Sequence, residues 1–321
     1  MRILLAGTGK LGVNLATPIL KSRHQIIGIL QNGRQTKGTK RLVNKVFLGK
    51  FGGSDSIIRF AVKNHIPVFW IDKMNEEELE PLRKLSPDLI LTGGFSIIFK
   101  KGILTLPRIG CVNVHSALLP RHRGPNPFYA VIRNGETQSG VTFHIMEEGI
   151  DTGPIVAQQS FPVYDTDTAY AIYCRASQLA GTIVLDVLNQ IEEKGLQGEP
   201  QNPEFASYDP KPTLKDSIIH WDVPAIDIDR QVRALSQTIM TRFTHKGRNV
   251  FVSRVKVNDK ETTAAPGTVI NPRFPAEIAT ARGTITLLSA FTVFPIIWLW
   301  PTKNTLTEGE MLNSEMDIND K

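Results

Sequence analysis

Asn113, His115 and Asp151 are the side chains of this sequence whose types and spacing can do chemistry together. Residues two apart on a strand share a face, so Asn113 and His115 of the run Asn113-Val-His115 point the same way. Asp151 opens an Asp-Thr-Gly turn 27 positions after Gly124. An amide, an imidazole and a carboxylate meeting at the end of a sheet can move an acyl group onto an amine. The first two stabilise an oxygen that gains charge, and the third takes a proton. Singly, His115 reads as a structural histidine and Asp151 as a turn residue. The ensemble, with the Leu118-Leu-Pro-Arg-His-Arg-Gly124 turn between them, points to catalysis.

Strand and helix signals alternate in the order needed to position such a set. Apolar runs at 3–6, 25–30, 68–71, 89–92 and 111–115 read as strands, and segments near 10–21, 54–64 and 76–85 as helices. This order predicts an α/β domain with a doubly wound, mostly parallel sheet, in which ligands sit beyond the carboxyl ends of strands. Asp165-Thr-Asp-Thr168 offers capping oxygens to a long helix with apolar residues at 3–4 spacing from Ile172 to Ile191. That stripe is core. The catalytic domain is therefore expected over 1–196, with a Pro-, Gly- and Asn-rich linker at 197–214. Beyond it, a helix near 224–236 and short strands at 250–257, 267–270, 277–280 and 284–288 predict a smaller, OB-like β-barrel domain over 215–301. A polar tail follows at 302–321.

With 321 residues, the chain is long for one core and suits two domains. Two cysteines form no secreted-type framework and leave no metal-ligand spacing, so a cytoplasmic setting and no metal are expected. The late apolar run 291–300 is far short of the roughly 20 residues of a membrane helix and reads as a core strand. The net charge of +6 is uneven, because residues 1–54 hold ten Lys or Arg and no acid. Such an end is either a polyanion-binding surface or a solvated face.

Gly7-Thr-Gly9-Lys-Leu-Gly12 fits a dinucleotide fingerprint, which makes a nicotinamide-dependent dehydrogenase the rival of another class. The fingerprint also calls for an acid about 20 residues on, and the second strand ends in Leu30-Gln-Asn32 instead. A tight turn from sheet to helix is the preferred reading.

The stretch from Asn113 to Gln158, with its His115, Leu-Leu-Pro and Asp151-Thr-Gly-Pro elements, resembles the heart of the folate-dependent formyltransferases. Members of that family formylate methionyl-tRNA, glycinamide ribonucleotide or amino sugars. The resemblance extends to the first strand, to Pro107–Asn113, to Ile219-His-Trp-Asp222 and Arg230–Ala234, and to the strands between Ala265 and Leu288. It implies a Rossmann-like catalytic domain, 10-formyltetrahydrofolate as cosubstrate and a primary amine as acceptor, with Asn113, His115 and Asp151 catalytic. The family's pterin-binding region matches Gly93, Gly94, Phe95, Ser96 and Ile97, Ser116, Leu118, Leu119 and Pro120, and Gly149 and Ile150. Arg34, Lys37, Lys40, Arg41 and Lys45 occupy the place of the basic loop of the tRNA enzymes, which implies tRNA as partner. Two departures bear on the acceptor: Ser236–Met240 replaces an aromatic, proline-rich segment, and Arg123-Gly-Pro-Asn-Pro127 is similar to the amino-sugar members.

Overall fold

In the computed structural model, residues 1–33, 53–236, 239–293, 298–299 and 306–312 are described. The basic residues Arg34, Lys37, Lys40, Arg41 and Lys45, half of the 291–300 run and most of the polar tail lie outside them. The chain divides into two compact units. The first gathers Met1–Pro127, Gln138–Pro162 and Ile172–Pro210; the second takes Phe128–Thr137, Val163–Ala171 and Lys211 onward.

Seven strands form the sheet of the first unit: β1 (Arg2–Gly7), β2 (Gln25–Asn32), β3 (Val68–Ile71), β4 (Leu89–Gly93), β5 (Gly110–His115), β6 (Gln138–Ile145) and β7 (Ile155–Pro162). Their spatial order is β3-β2-β1-β4-β5-β6-β7. The pairs from β3 through β5 are parallel, and β5-β6 and β6-β7 are antiparallel. Ile3, Leu4, Leu5 and Ala6 of β1 have no exposed surface, as expected of a central parallel strand covered on both faces. Each large side chain so buried contributes about 1.5–3 kcal/mol.

The helices α1 (Gly9–Leu20), α2 (Ile57–Lys63), α3 (Glu76–Lys84) and α4 (Lys101–Leu104) fill the crossovers. Asn75 caps α3 by accepting from the Glu78 amide at 3.2 Å, while the Glu78 carboxylate accepts from the amides of Asp72, Lys73 and Met74. The glycine fingerprint is a structural turn: a Cβ on Gly7 would lie 2.9 Å from the Gly12 Cα, and Gly9 has φ +56°. Close strand-to-helix approach alone accounts for those glycines.

A short helix α5 (Pro127–Arg133) precedes β6, and α6 (Ala169–Lys194) follows β7. Among the described residues α6 is the one helix long and apolar enough to cross a membrane. Its Ala176, Ala180, Val184 and Leu188 are fully buried, however, and Gly181 sits against Asn14 of α1. That is the packing of a core helix.

The second unit is built on α7 (Ala225–Leu235) and a curled antiparallel sheet. Its strands are β8 (Thr241–His245), β9 (Arg248–Asn258), β10 (Val269–Asn271), β11 (Glu277–Ala279), β12 (Thr284–Val293) and β13 (Trp298–Leu299). They run in the order β10-β11-β12-β9-β8, with β13 beside β12. Register shifts between Leu287 and Ala290 mark the irregularity that bends a long strand. Trp221, Ile228, Val232, Phe243, Val252, Ile278 and Ile285 make its core.

Candidate active site

Register builds the site. Thr92 of β4 pairs with Asn113 of β5, which pairs in turn with His144 of β6. Directly paired residues present their side chains on one face, so these three form a row across the sheet, with His115 two residues further along β5. The Thr92 hydroxyl donates to Asn113 Oδ1 at 2.5 Å, turning the amide nitrogen away from β4. Asn113 Nδ2 then lies 3.1 Å from His144 Nε2 and 3.3 Å from Asp151 Oδ1.

Asp151 reaches this row from the connection between β6 and β7 with φ +53°, a left-handed conformation that costs a non-glycine residue about 1–2 kcal/mol. Besides Asn113, four contacts hold it there. Its Oδ2 accepts from the Gly124 amide at 2.9 Å and lies 3.6 Å from His115 Nδ1, and its Oδ1 lies 3.4 Å from His144 Nε2. Its carbonyl, with that of Gly153, accepts from Gln201 Nε2, each at 2.8 Å.

Residues after α6 complete the scaffold. The Gln201 side-chain oxygen accepts two bonds from the Arg123 guanidinium, at 3.1 and 2.7 Å. Arg123 pairs through its main chain with Ser207 and Asp209, and Asp209 Oδ2 lies 2.7 Å from His122 Nδ1. Thus part of the 197–214 stretch packs around the Leu118–Gly124 turn. The turn contains a cis Leu119–Pro120 bond, and Thr142 stitches it to β6 by accepting from the Leu119 amide and donating to the Ala117 carbonyl.

Burial pushes the Asp151 carboxyl upward, but the His144 hydrogen bond, the charge His115 carries when protonated and the Gly124 amide outweigh it and hold the group down at about 2. It is a carboxylate. His115 moves the other way from what a neighbouring carboxylate alone would do. Burial lowers its proton affinity, and Asp151 and the His122 carbonyl only partly offset that. His115 Nε2 lies 2.7 Å from the His122 carbonyl, so it carries the proton of the neutral ring and leaves Nδ1 facing Asp151.

Of the residues marked from sequence, Asn113, His115 and Asp151 meet in this cluster. Gly93 ends β4 beside it, and Gly94 and Ser96 are exposed in the loop beyond. Ile97 and Leu119 are buried, Ile97 within the main core, so these positions offer main-chain groups more than side-chain surface. Phe95 packs edge-on against Phe99, and Ile150 is exposed. Ser116 is buried, Leu118 and Pro120 are half-buried in the turn, and Gly149 is exposed. Sequence reasoning missed His144 and Gln201, and it gave Thr92 no part in orienting Asn113. The polar–apolar pattern of Gln138–Ile145 was the available signal for a strand that would place His144 opposite Asn113.

The chain belongs to the formyl transferase family. Residues 4–188 match the model described as "Formyl transferase", and residues 212–291 match "Formyl transferase, C-terminal domain". The chain is 29% identical to a methionyl-tRNA formyltransferase of Legionella pneumophila over 272 residues, 84% of each chain. It is 30% identical to the enzyme of that name from Wigglesworthia glossinidia brevipalpis over 291 residues, covering 89% of this chain and 88% of the relative. A crystal structure of an N-formyltransferase from Helicobacter canadensis, in complex with folinic acid and dTDP-3-aminofucose, superposes with a TM-score of 0.68 at 21% identity. That match covers 89% of this chain and 98% of the other.

Proposed function

We propose that the protein transfers a formyl group from 10-formyltetrahydrofolate to a primary amine, the amino group of methionyl-tRNA. The observation that carries the reaction type is the convergence of Asn113, His115 and Asp151, with the carboxylate 3.3 Å from the amide and 3.6 Å from the imidazole. The amine attacks as a neutral nucleophile. As it adds to the formyl carbon, charge builds on the formyl oxygen, where Asn113 N–H donates, joined by His115 once the arriving anion favours a proton on Nδ1. Asp151 takes the amine proton directly or through one water, and the folate nitrogen leaves. The folate would lie along residues 93–97, 116–120 and 149–150.

The acceptor assignment draws on sequence identity to the methionyl-tRNA enzymes over most of both chains. It also draws on the acid-free basic run that includes Arg34, Lys37, Lys40, Arg41 and Lys45. The second reading, N-formylation of a nucleotide-linked amino sugar, is favoured by the Arg123-Gly-Pro-Asn-Pro127 run. A cytoplasmic location accords with both readings.

The test offers 10-formyltetrahydrofolate with methionyl-tRNA in one arm and nucleotide-linked amino sugars in the other. Formyl-methionyl-tRNA is expected, with a steep fall in tRNA binding as salt rises and a loss on replacing Arg41 and Lys45 by Glu. Formylated sugar alone would transfer the assignment to the second reading. His115→Ala should retain the fold and lose roughly 10²–10³ in turnover, by analogy with other oxyanion donors. Near-normal turnover would remove His115 from the mechanism.

A further inference from the structure

We propose that His144 is a positioning residue that holds the proton Asp151 takes from the attacking amine, so that Asp151 and His144 act as one base. The inference rests on the formyl-transfer reading and concerns a side chain for which that reading has no use. His144 is buried at 3% exposure. Its Nδ1 lies 2.9 Å from the Ile145 carbonyl, which accepts only from an N–H, so that nitrogen keeps its proton. Nε2 is therefore the nitrogen free to gain and lose one. It faces Asp151 Oδ1 at 3.4 Å and Asn113 Nδ2 at 3.1 Å.

The orientation of Asn113 is fixed by charge. An amide oxygen turned toward Asp151 would meet the carboxylate at 3.3 Å, whereas the amide nitrogen is attracted to it, and Oδ1 already takes the Thr92 hydroxyl. Sides of 3.1, 3.3 and 3.4 Å place His144 Nε2 and Asp151 Oδ1 within about 65° of each other as seen from Asn113 Nδ2. The two hydrogens of an amide diverge far more widely than that. One is shared between these two acceptors, and the other remains for the formyl oxygen.

A carboxylate whose Oδ2 accepts from the Gly124 amide and whose Oδ1 accepts from Asn113 is a poor resting place for a proton drawn from an amine, because those donors favour its charged form. An imidazole nitrogen on its Oδ1 side supplies that place. The charged or titratable groups facing His144 are Asp151, from the β6–β7 connection, and His115 on β5, with ring centres 6.5 Å apart. From β7 its partner is the apolar Ile155. His115 is the less suitable store, since its Nδ1 stands 3.6 Å from Asp151 Oδ2 against 3.4 Å for His144 Nε2 from Oδ1, and its Nε2 is already committed to the His122 carbonyl.

The step balances. The amine nitrogen bonds to the formyl carbon, and its proton passes to Asp151 and on to His144 Nε2. Collapse breaks the bond from the formyl carbon to the folate nitrogen, which keeps the electron pair and receives the proton back along the same path. Protonated His144 donates to Asp151, so the shared Asn113 hydrogen turns wholly to the carboxylate and the amide stays aligned.

His144→Gln keeps hydrogen-bonding groups at this position but cannot store a proton. It should lower kcat by about 10- to 100-fold while both KM values stay within about twofold, and it should abolish the acid limb of the kcat–pH profile or move it to lower pH. An acid limb unchanged in the variant overturns the proposal. Folding is checked by circular dichroism, and His144→Asn gives the same comparison if the glutamine variant does not fold. A readout without turnover uses the histidine ring proton resonance that disappears from the variant spectrum. Asp151→Asn should shift that resonance, because the ring then loses the carboxylate facing its Nε2. A resonance indifferent to that replacement overturns the proposal. Failure of the wild type to formylate any amine sinks the functional reading instead.

Discussion

Removing the side chain of Gln201 tests whether Asp151 owes its place to a residue 50 positions away. Gln201→Ala deletes two bonds to the carbonyls of Asp151 and Gly153 and two from the Arg123 guanidinium. Neutral bonds contribute about 1 kcal/mol net each, and one to a charged group about 1.5–3 kcal/mol. Gln201 and Arg123 are only half-buried, so water replaces part of what is lost, and a destabilisation of about 2–3 kcal/mol is expected. Activity should suffer more than stability. Asp151 is left-handed at φ +53°, and without the clamp on its carbonyl the connection relaxes toward commoner backbone angles. A shift of about 1 Å at a catalytic group costs on the order of 10² in rate. Urea unfolding gives the first number and kcat at saturating donor and acceptor the second. A midpoint change worth less than about 0.5 kcal/mol, together with kcat within twofold of wild type, would refute the positioning argument.

Three further outcomes can be measured. The Asp151 carboxyl is held at about 2 against an ordinary 3.8, so its contribution of roughly 2 kcal/mol is full above pH 4 and lost as pH falls through 2. Denaturant titrations should show this acid-side slope shrinking in Asp151→Asn. His115 acts in the same sense at higher pH: its lowered proton affinity means stability is full above the unfolded value near 6.5 and declines below it, a slope that His115→Gln should remove. Gly7→Ala would set a methyl 2.9 Å from the Gly12 Cα, and calorimetry should register a loss of about 1–3 kcal/mol. Addition of a nicotinamide dinucleotide should leave that melting temperature where it is.

The first sheet was legible because its central strands are buried on both faces and read as apolar runs. Ile3–Ala6 and Leu89–Leu91 stand out for that reason, while the half-buried edge strand Val68–Ile71 shows through its β-branched and aromatic residues. Strands β6 and β7 were not. They form the antiparallel edge, where Gln158, Gln159 and Ser160 dilute the apolar signal, and no helix separates them. The meeting of Asn113, His115 and Asp151 was legible through local spacing and family motif. The contacts of Thr92, His144 and Gln201 with them were not, because these arise from strand register and a return of the chain, neither of which leaves a mark at short range. The protonation state of His115 also needed the fold, since burial and a nearby carboxylate pull in opposite directions and only depth decides between them.

The return of the chain around the Leu118–Gly124 turn governs when the site can exist during synthesis. Gln201 and Asp209 fasten Arg123, His122 and the Asp151 backbone, yet they are translated some 50 to 90 residues after the groups they fasten. A ribosome-bound fragment ending before position 200 would have every strand of the first sheet and all three reactive side chains, but no fixed arrangement of them. Competence in the nascent polypeptide should therefore switch on late and abruptly, as the stretch through Asp209 clears the exit tunnel.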